Sequence, residues 1–366
     1  PGLLLTVAVA DCVPIYLLDP EAKRIGLLHA GWRGVVAGIL EVGVATIQGI
    51  GAEVDRLRVH FGPHICDRCY EVGPEVHRAL GFPVPETWLI PPKAYDDSHD
   101  LESTLNRYAK LFDLGAIGDS IGYPLFMKPY DGGAWVGVTA IHNRDELNEA
   151  YDKSGTRVMH LQKGVEPHDL FVRCIGLGPQ CRFVNYDPSA PLHDRYRKDF
   201  GFLSAQDETT LSRMTTVINA YFGWDFNSCE ALRSGNVWRP IDFANACPDS
   251  QVTSLHFHFP WLIKANLRWS IFCASTDRSM HANQNWAEYF RIAAQDRPFE
   301  DKLEQYARIA LEYFEADKFA AFCERNLGHL DEVADEFFGS DAVLDAIRQK
   351  VETLYPESEI EPFTEL

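Results

Sequence analysis

The sequence contains no run of about 18 consecutive apolar residues, so it predicts no membrane-spanning helix. Basic residues are also scarce, because 34 lysines and arginines stand against 53 aspartates and glutamates, for a formal net charge of −19. An acidic surface repels a phosphate backbone, and nucleic acid is therefore not expected as a partner. Internal repeats, low-complexity tracts and coiled-coil heptads are absent as well. What remains is ordinary globular composition, with 46% apolar and 24% charged residues.

Cysteine is present without the pattern of a disulfide-stapled domain. The nine cysteines are scattered, and no secretory signal is recognisable, so we expect reduced thiols in a cytoplasmic protein. The CxxC at Cys66 and Cys69 has no second pair at zinc-ribbon spacing and is interpreted as incidental. The apolar run 3–10 lacks the basic flank of a signal peptide and predicts a buried strand. From its position at the start, we expect the sequence to be a fragment.

With 366 residues the chain is long enough for two or three domains, and its composition divides it into three stretches. Residues 1–77 alternate short apolar strands with one helix. Pro and Gly cluster between residues 73 and 92, which indicates a domain junction near residue 78. Residues 78–280 mix helices with strands, and residues 281–366 have the period of an acidic, all-helical region. The predicted fold class is α+β.

Apolar periodicity predicts the elements of residues 78–280. Strands are predicted at 123–128, 135–142, 158–163, 170–177, 182–186, 229–233 and 237–243, and helices at 101–112, 143–153 and 207–222. Asn143 followed by Glu146 has the spacing of a capping box and predicts a helix start. The run 253–261, which contains two histidines in alternation with aromatic residues, is predicted to be a strand that packs against its surroundings rather than binds metal.

A lysine at the end of an apolar strand is followed by a glycine-rich turn. Lys128 is that lysine, and Asp131, Gly132 and Gly133 begin the turn. Such a lysine presents a cation to a phosphate, and glycines let backbone N–H groups approach it. On its own a Gly-Gly pair between two strands is more often a simple hairpin turn. Downstream, the apolar strand that begins at Met159 ends in a polar bend where backbone groups could read an adenine edge.

Oxygen ligands converge from the predicted hairpin further along the chain. Glu230 begins one strand, and Asp242 and Asn245 lie at the end of the return strand. Two carboxylates and an amide oxygen form a set of hard ligands that suits Mg²⁺ held partly by nucleotide phosphates. Because unpaired carboxylates are costly to bury, a bound cation is a simple explanation for them.

Over about residues 78–275 the sequence resembles the ATP-grasp family. The resemblance lies in the order of four features: the apolar strand with Lys128-Pro, the glycine-rich loop, the linker strand that begins at Met159, and Asp242-x-x-Asn245-x-x-Pro. The usual acid-x-Asn element is replaced here by Asp242-x-x-Asn245. The resemblance implies a nucleotide held between two α+β subdomains. It also implies an ATP- and Mg-dependent ligase that joins a carboxylate to an amine or thiol through an acyl phosphate, with small-molecule substrates. The helical C-terminal region would form a cap.

The resemblance also implies residue roles, in three groups. Lys128 and Arg173 would be catalytic, on the phosphates and the acyl phosphate. The nucleotide would be held by Lys128, Asp131, Gly132, Gly133, Gln162, Lys163, Val165 and Glu166. Glu230, Asp242 and Asn245 would bind Mg²⁺.

A second resemblance lies in residues 3–77. The strings Ala10-Asp-Cys12 and His29-Ala-Gly-Trp-Arg33-Gly are similar to the laccase-like polyphenol oxidoreductase family, whose members resemble zinc-dependent purine nucleoside phosphorylases. It implies Cys12 and His29 as two of three zinc ligands, with the third upstream of residue 1. Two ligands bind zinc poorly, so this truncated α/β fragment is expected to be inactive. Two alternatives to the ligase remain: phosphorylase or oxidoreductase-like activity of this fragment, and a non-catalytic nucleotide-binding protein. The junction of the two resemblances near residue 78 could be a genuine gene fusion or an artefact of sequence assembly.

Overall fold

The computed structural model describes residues 13–31, 34–35, 37–61, 78–94, 113–130, 136–246, 248, 250–279 and 284–364. The chain divides into two compact units, one of residues 1–79 with 287–294 and one of residues 80–286 with 295–366. Within these described ranges, no helix is both long enough and apolar enough to cross a membrane. The mixed α+β class expected from the sequence is confirmed by the elements of both units.

The first unit contains a three-stranded antiparallel sheet in the order β2-β1-β3, formed by β1 (Val13–Asp19), β2 (Arg24–Ala30) and β3 (Arg58–Phe61). Helix α1 (Ile39–Gly49) contributes Ile47 to the core under β1, where Ile15 and Leu17 are buried. Alternation explains this, because residues two apart on a strand point to the same face. The same alternation leaves Tyr16 and Leu18 exposed on the opposite face.

The second unit begins with a four-stranded antiparallel sheet in the order β4-β7-β5-β6. Its strands are β4 (Thr87–Ile90), β5 (Leu125–Pro129), β6 (Thr139–Ile141) and β7 (Met159–Lys163), and its helices are α2 (Leu114–Ile121) and α3 (Arg144–Ser154). Leu125, Met127 and Leu161 are fully buried in the core beneath these helices. We call this the β5 sheet, since β5 carries Lys128.

The β5 sheet also illustrates what the sequence predicted and what it missed. Asn143 caps α3 as expected, with its side chain accepting from the N–H of Glu146 at 2.9 Å. Helix α2 was not predicted, because two glycines weaken its helical signal. Those glycines are packing sites: a Cβ at Gly118 would lie 2.5 Å from Leu147 on α3. The helix predicted at 101–112 lies outside the described residues.

A second four-stranded antiparallel sheet, in the order β11-β10-β8-β9, follows in the same unit. It consists of β8 (Leu170–Leu177), β9 (Gln180–Asn185), β10 (Phe226–Ser234) and β11 (Val237–Ala246), and we call it the β10 sheet. Helix α4 (Ala205–Phe222) covers one face, where Asn227 donates to Asn219 at 2.9 Å. The predicted strand 170–177 coincides with β8, and the two-residue turn between β10 and β11 has Gly235 at φ 61°.

Helices make up most of the remaining chain. They are α5 (Val252–Leu255), α6 (Phe259–Thr276), α7 (Trp286–Ala293), α8 (Phe299–Tyr313), α9 (Ala316–Asn326), α10 (Leu330–Phe338), α11 (Asp341–Leu354) and α12 (Glu357–Thr364). This confirms the all-helical C-terminal region. Aromatic side chains pack its centre, with Trp269 and Phe272 of α6 against Phe319 of α9 at 5.5 and 5.4 Å between ring centroids.

The predicted strand at 253–261 is wrong. Residues 252–255 form α5, residues 256–258 a 3₁₀ turn, and α6 starts at Phe259 with a proline in its first turn. Proline is favoured there because its missing N–H would have no helical partner. The alternation of histidine and phenylalanine imitates a strand period over a segment too short to distinguish the two structures by pattern.

Candidate functional site

Three charged side chains form one row across the β10 sheet. Glu230 on β10 lies opposite Arg173 on β8 and opposite Asp242 on β11. Directly opposed residues of antiparallel strands project from the same face, with Cβ atoms roughly 4.5–5.5 Å apart. The three therefore share the face that does not meet α4, and we call Arg173, Glu230 and Asp242 the charged row. Pairing of β10 with β11 is shifted on both sides of Glu230, an irregularity of the kind that re-aims side chains near functional sites.

Glu230 is the perturbed carboxyl of the charged row. Burial raises its pKa to about 7, and the neighbouring Asp242 adds to the shift, while Arg173 and Lys128 oppose it. Both raising causes disfavour the ionised form, the first through lost hydration and the second through like charge. At neutral pH this carboxyl therefore lies between its two protonation states. A strongly perturbed group with named charge partners is a candidate for function.

Lys128 brings an ammonium group to the charged row from the other sheet. It lies on β5, and its Nζ donates to Oε1 of Gln162 at 2.9 Å and to the carbonyl of Ile241, next to Asp242, at 3.4 Å. Burial lowers the pKa of Lys128, and the Asp242 and Glu230 carboxylates oppose that shift. The two sheets are thus joined at this point by a cation that is partly desolvated and close to two acids.

Gln162 holds Lys128 in place. Its side chain, 6% exposed, accepts from Lys128 and donates through Nε2 to Thr87 Oγ1 and to the Ile241 carbonyl, each at 3.2 Å. The amide therefore links β4, β7 and β11 around the lysine. The resemblance implied that Gln162 helps to hold the nucleotide, and in this structure its side chain accepts a hydrogen bond from Lys128.

The other residues assigned to the nucleotide pocket have different surroundings. Lys163 Nζ donates to the carbonyls of Gly122 and Tyr123, at 2.6 and 3.0 Å, so it stabilises the chain after α2. Val165 is buried in a cluster with Phe171, Tyr186 and Leu232. Glu166 is exposed at the bend after β7. These three lie at the end of β7 and just after it, and they do not converge on the charged row.

Arg173 has a phenol partner that sequence reasoning missed. The Tyr196 hydroxyl accepts a hydrogen bond from Nη1 of Arg173, and the tyrosine ring centroid lies 5.5 Å from its Cζ. Tyr196 is held by an isolated β-bridge to Tyr186, whose ring is 5.1 Å away. The segment between β9 and α4 is irregular, so no periodic signal could have identified Tyr196.

Several predicted ligands lie outside what the structure describes. Asp131, Gly132, Gly133 and Cys12 are in undescribed segments, and Asn245 is described only by its backbone on β11, opposite Ser228. His29 is exposed on β2, opposite Pro14. Among the described residues, no three His, Cys, Asp or Glu side chains group closely enough to hold a metal. Within that part of the chain, Glu230 and Asp242 are therefore a pair of carboxylates without a third ligating side chain of these types beside them.

The family model for multi-copper polyphenol oxidoreductase laccase matches residues 1–112, less than a third of the chain. Similar proteins include the purine nucleoside phosphorylase ORF3 of Streptomyces griseus, 44% identical over 87 residues (24% of this chain and 35% of that protein). Another is the adenosine deaminase RL5 of an unknown prokaryotic organism, 46% identical over 79 residues (22% and 30%). The chain spans about a third of the length of these relatives. The resemblance of the N-terminal stretch to this family is confirmed.

Solved structures with some likeness include a D-alanine–D-alanine ligase from Bacillus anthracis complexed with ATP. It is 12% identical, with a TM-score of 0.36, over 65% of this chain and 64% of that one. An L-amino acid ligase from Bacillus licheniformis has 13% identity and a TM-score of 0.34, over 50% and 41%. TM-scores of this size do not establish a shared fold, and the site is therefore interpreted from its own geometry.

Proposed function

We propose that residues 78–280 form an ATP-grasp domain that binds Mg–ATP and joins a small-molecule carboxylate to an amine or thiol through an acyl phosphate. The observation that carries this proposal is the meeting of Lys128, from the β5 sheet, with the charged row of the β10 sheet. Two cations and two carboxylates from different sheets make a site for a polyanion with a divalent metal. The domain bounds 1–77, 78–280 and 281–366 are part of the same proposal.

The donor set is suited to magnesium. Glu230 and Asp242 are opposed carboxylates whose mutual repulsion contributes to the raised pKa of Glu230. A divalent cation between them would remove that repulsion, and Mg²⁺ prefers oxygen ligands, including phosphate oxygens. Glu230 and Asp242 would hold the ion, with Asn245 as the third ligand. When bound, Mg²⁺ would neutralise negative charge on the phosphates.

The remaining residues would position and stabilise the reacting groups. Lys128 would exchange its neutral hydrogen-bond acceptors for phosphate oxygens, which form stronger, charge-assisted bonds. Arg173, fixed by Tyr196, would stabilise the phosphoryl group as it moves from ATP to a carboxylate oxygen and ADP leaves. An amine would then attack the acyl carbon, lose a proton and expel inorganic phosphate. Much of this catalysis would come from positioning.

Thermal unfolding with and without Mg–ATP tests the proposal. A ligand present at about 100 times its Kd adds about 2.7 kcal/mol of stability. We expect a magnesium-dependent increase in wild type that is lost in Lys128→Met. Lys153→Met is the matched control, because this exposed lysine pairs with Glu149 on the surface of α3. Equal nucleotide affinity in Lys128→Met would remove the central claim, and binding without turnover on carboxylate and amine panels would favour a non-catalytic nucleotide-binding protein.

A second candidate function belongs to the N-terminal stretch. It is favoured by the identity of that stretch to proteins named purine nucleoside phosphorylase. Cys12 and His29 would then be zinc ligands in a site that needs a third. Stoichiometric zinc in the purified protein, with phosphate-dependent cleavage of inosine or adenosine, would support this function.

A further inference from the structure

Arg182 lies on the same face of the β10 sheet as the charged row. It is on the edge strand β9, opposite Ile175, which is two residues along β8 from Arg173. Residues two apart on a strand share a face, and diagonal neighbours across two strands have Cα atoms roughly 7–8 Å apart. A second guanidinium group is therefore presented one diagonal step from the arginine of the proposed reaction site.

The partners of Arg182 are neutral. Its Nε donates to Nδ1 of His258 at 3.2 Å, and its Cζ lies 4.5 Å from the centroid of the Phe200 ring. His258 is 1% exposed and contacts the carbonyl of Arg197 through Nε2 at 2.9 Å. A carbonyl only accepts, so Nε2 carries the proton and Nδ1 is free to accept from Arg182. The imidazole is thus fixed in its neutral form.

Among the described residues, no carboxylate is found to neutralise the guanidinium of Arg182, since no acid contributes to the shift of its pKa. Asp199 is close enough to influence His258, but its Oδ2 accepts from Asn185 at 2.9 Å. Burial lowers the pKa of Arg182, with no acid opposing the shift. A half-buried cation without a counter-ion is costly, and an incoming anion would remove that cost.

His258 also places Arg182 beside the start of α6, of which it is the N-cap residue. The helix start itself offers few donors to an anion, because the Phe259 N–H donates to the His256 carbonyl and Pro260 has no N–H. The guanidinium of Arg182 is therefore the group that would hold an anion here.

We propose that Arg182 forms a carboxylate subsite for the substrate. It holds a second carboxylate of a molecule whose reacting carboxyl lies at the charged row. This inference rests on the proposed ligase function and extends it, because it selects dicarboxylates and acidic amino acids over monocarboxylates. The Nη1 and Nη2 groups of Arg182 match the two oxygens of a carboxylate, while His258 and Phe200 fix the plane of the guanidinium.

Titration calorimetry with acetate and glutarate, in the presence of Mg–ADP, tests the subsite. We expect glutarate to bind wild type at least about tenfold more tightly than acetate, because it gains a charge-assisted bidentate contact. Arg182→Gln should lose that preference and leave acetate binding unchanged, and Arg182→Lys should restore part of it. Arg268→Gln is the control, since this arginine of α6 pairs with Asp331 instead.

Either no preference for glutarate in wild type or an unchanged preference in Arg182→Gln overturns the inference. If Arg182→Gln does not fold, Phe200→Leu tests the subsite in its place. This variant removes the ring that packs against the guanidinium and keeps the positive charge. We expect it to weaken glutarate binding several-fold. Mg–ADP affinity in the same samples separates the two proposals. If the protein binds nucleotide but shows no Arg182-dependent binding of glutarate, only the subsite proposal is refuted. If it shows Arg182-dependent binding of glutarate but binds no nucleotide, the subsite is supported and the ligase proposal is refuted.

Discussion

The protonation of Glu230 gives a prediction in which stability and function change in opposite directions. In the folded chain its pKa is raised from 4.5 to about 7, chiefly by burial and then by Asp242. Replacing it with Gln supplies a neutral side chain of the same shape. We therefore expect Glu230→Gln to stabilise the nucleotide-free protein above pH 7 while abolishing magnesium-dependent nucleotide binding.

The magnitude follows from the difference between the two pKa values. A shift from 4.5 to about 7 corresponds to about 3 kcal/mol, at about 1.4 kcal/mol per pKa unit. Because the folded pKa is the higher one, the folded state binds the proton more tightly. The stabilising contribution is complete below pH 4.5 and is lost as the pH rises through about 7. Glu230→Gln should thus gain up to about 3 kcal/mol over wild type at pH 8, and under about 1 kcal/mol at pH 5.

Urea unfolding of both proteins at pH 5 and pH 8, without divalent metal, measures this difference. Glu312→Gln makes the same chemical change on an exposed surface of α8 and should show no comparable gain. Added Mg²⁺ with ADP should stabilise wild type at pH 8 and leave Glu230→Gln unaffected. Two results would refute the assignment of an electrostatic penalty to Glu230. One is a variant less stable than wild type at pH 8, and the other is a difference in free energy of unfolding that is the same at both pH values.

Three further predictions concern other parts of the chain. Tyr196→Phe removes the acceptor of the Arg173 hydrogen bond, and we expect kcat on a ligase substrate to fall about tenfold with Mg–ATP affinity retained; an unchanged kcat would contradict the positioning role. Gly178→Ala should destabilise by about 2 kcal/mol or more in urea unfolding, because φ is +55° and a Cβ would lie 2.5 Å from the Trp269 ring. Cys12→Ala should leave Mg–ATP binding unchanged in the thermal-shift assay, and a loss of binding would tie the two halves of the chain together.

Local pattern was sufficient for most elements of the second unit. Strand β8 has the predicted bounds, and α3 starts at the predicted cap, because alternation, helical period and capping chemistry are all recorded within a few neighbouring residues. The pattern failed where these signals were absent or misleading. Helix α2 is hidden by glycines that exist for contact with α3, and the start of α6 is hidden by a histidine–phenylalanine alternation.

The candidate site divides in the same way. By itself the sequence determined which charged residues follow apolar strands, and it placed Lys128, Glu230 and Asp242 in an order that implies a nucleotide and a metal. Only the tertiary structure decided that Lys128 meets the carbonyl beside Asp242, more than a hundred positions away. The tertiary structure also shows that the side chain of Gln162 accepts a hydrogen bond from that lysine. Such choices depend on strand register and sheet packing, which a local period does not encode.

The electrostatics belong wholly to the folded state. A glutamate has an ordinary pKa in any sequence, and the shift of Glu230 to about 7 exists because folding removes its water and sets Asp242 opposite it. Likewise Arg182 has no recognisable signal in the sequence, since its neutral partners come from segments about 20 and 75 residues away. Sequence specified the chemical groups, and burial together with long-range pairing determined what those groups can bind.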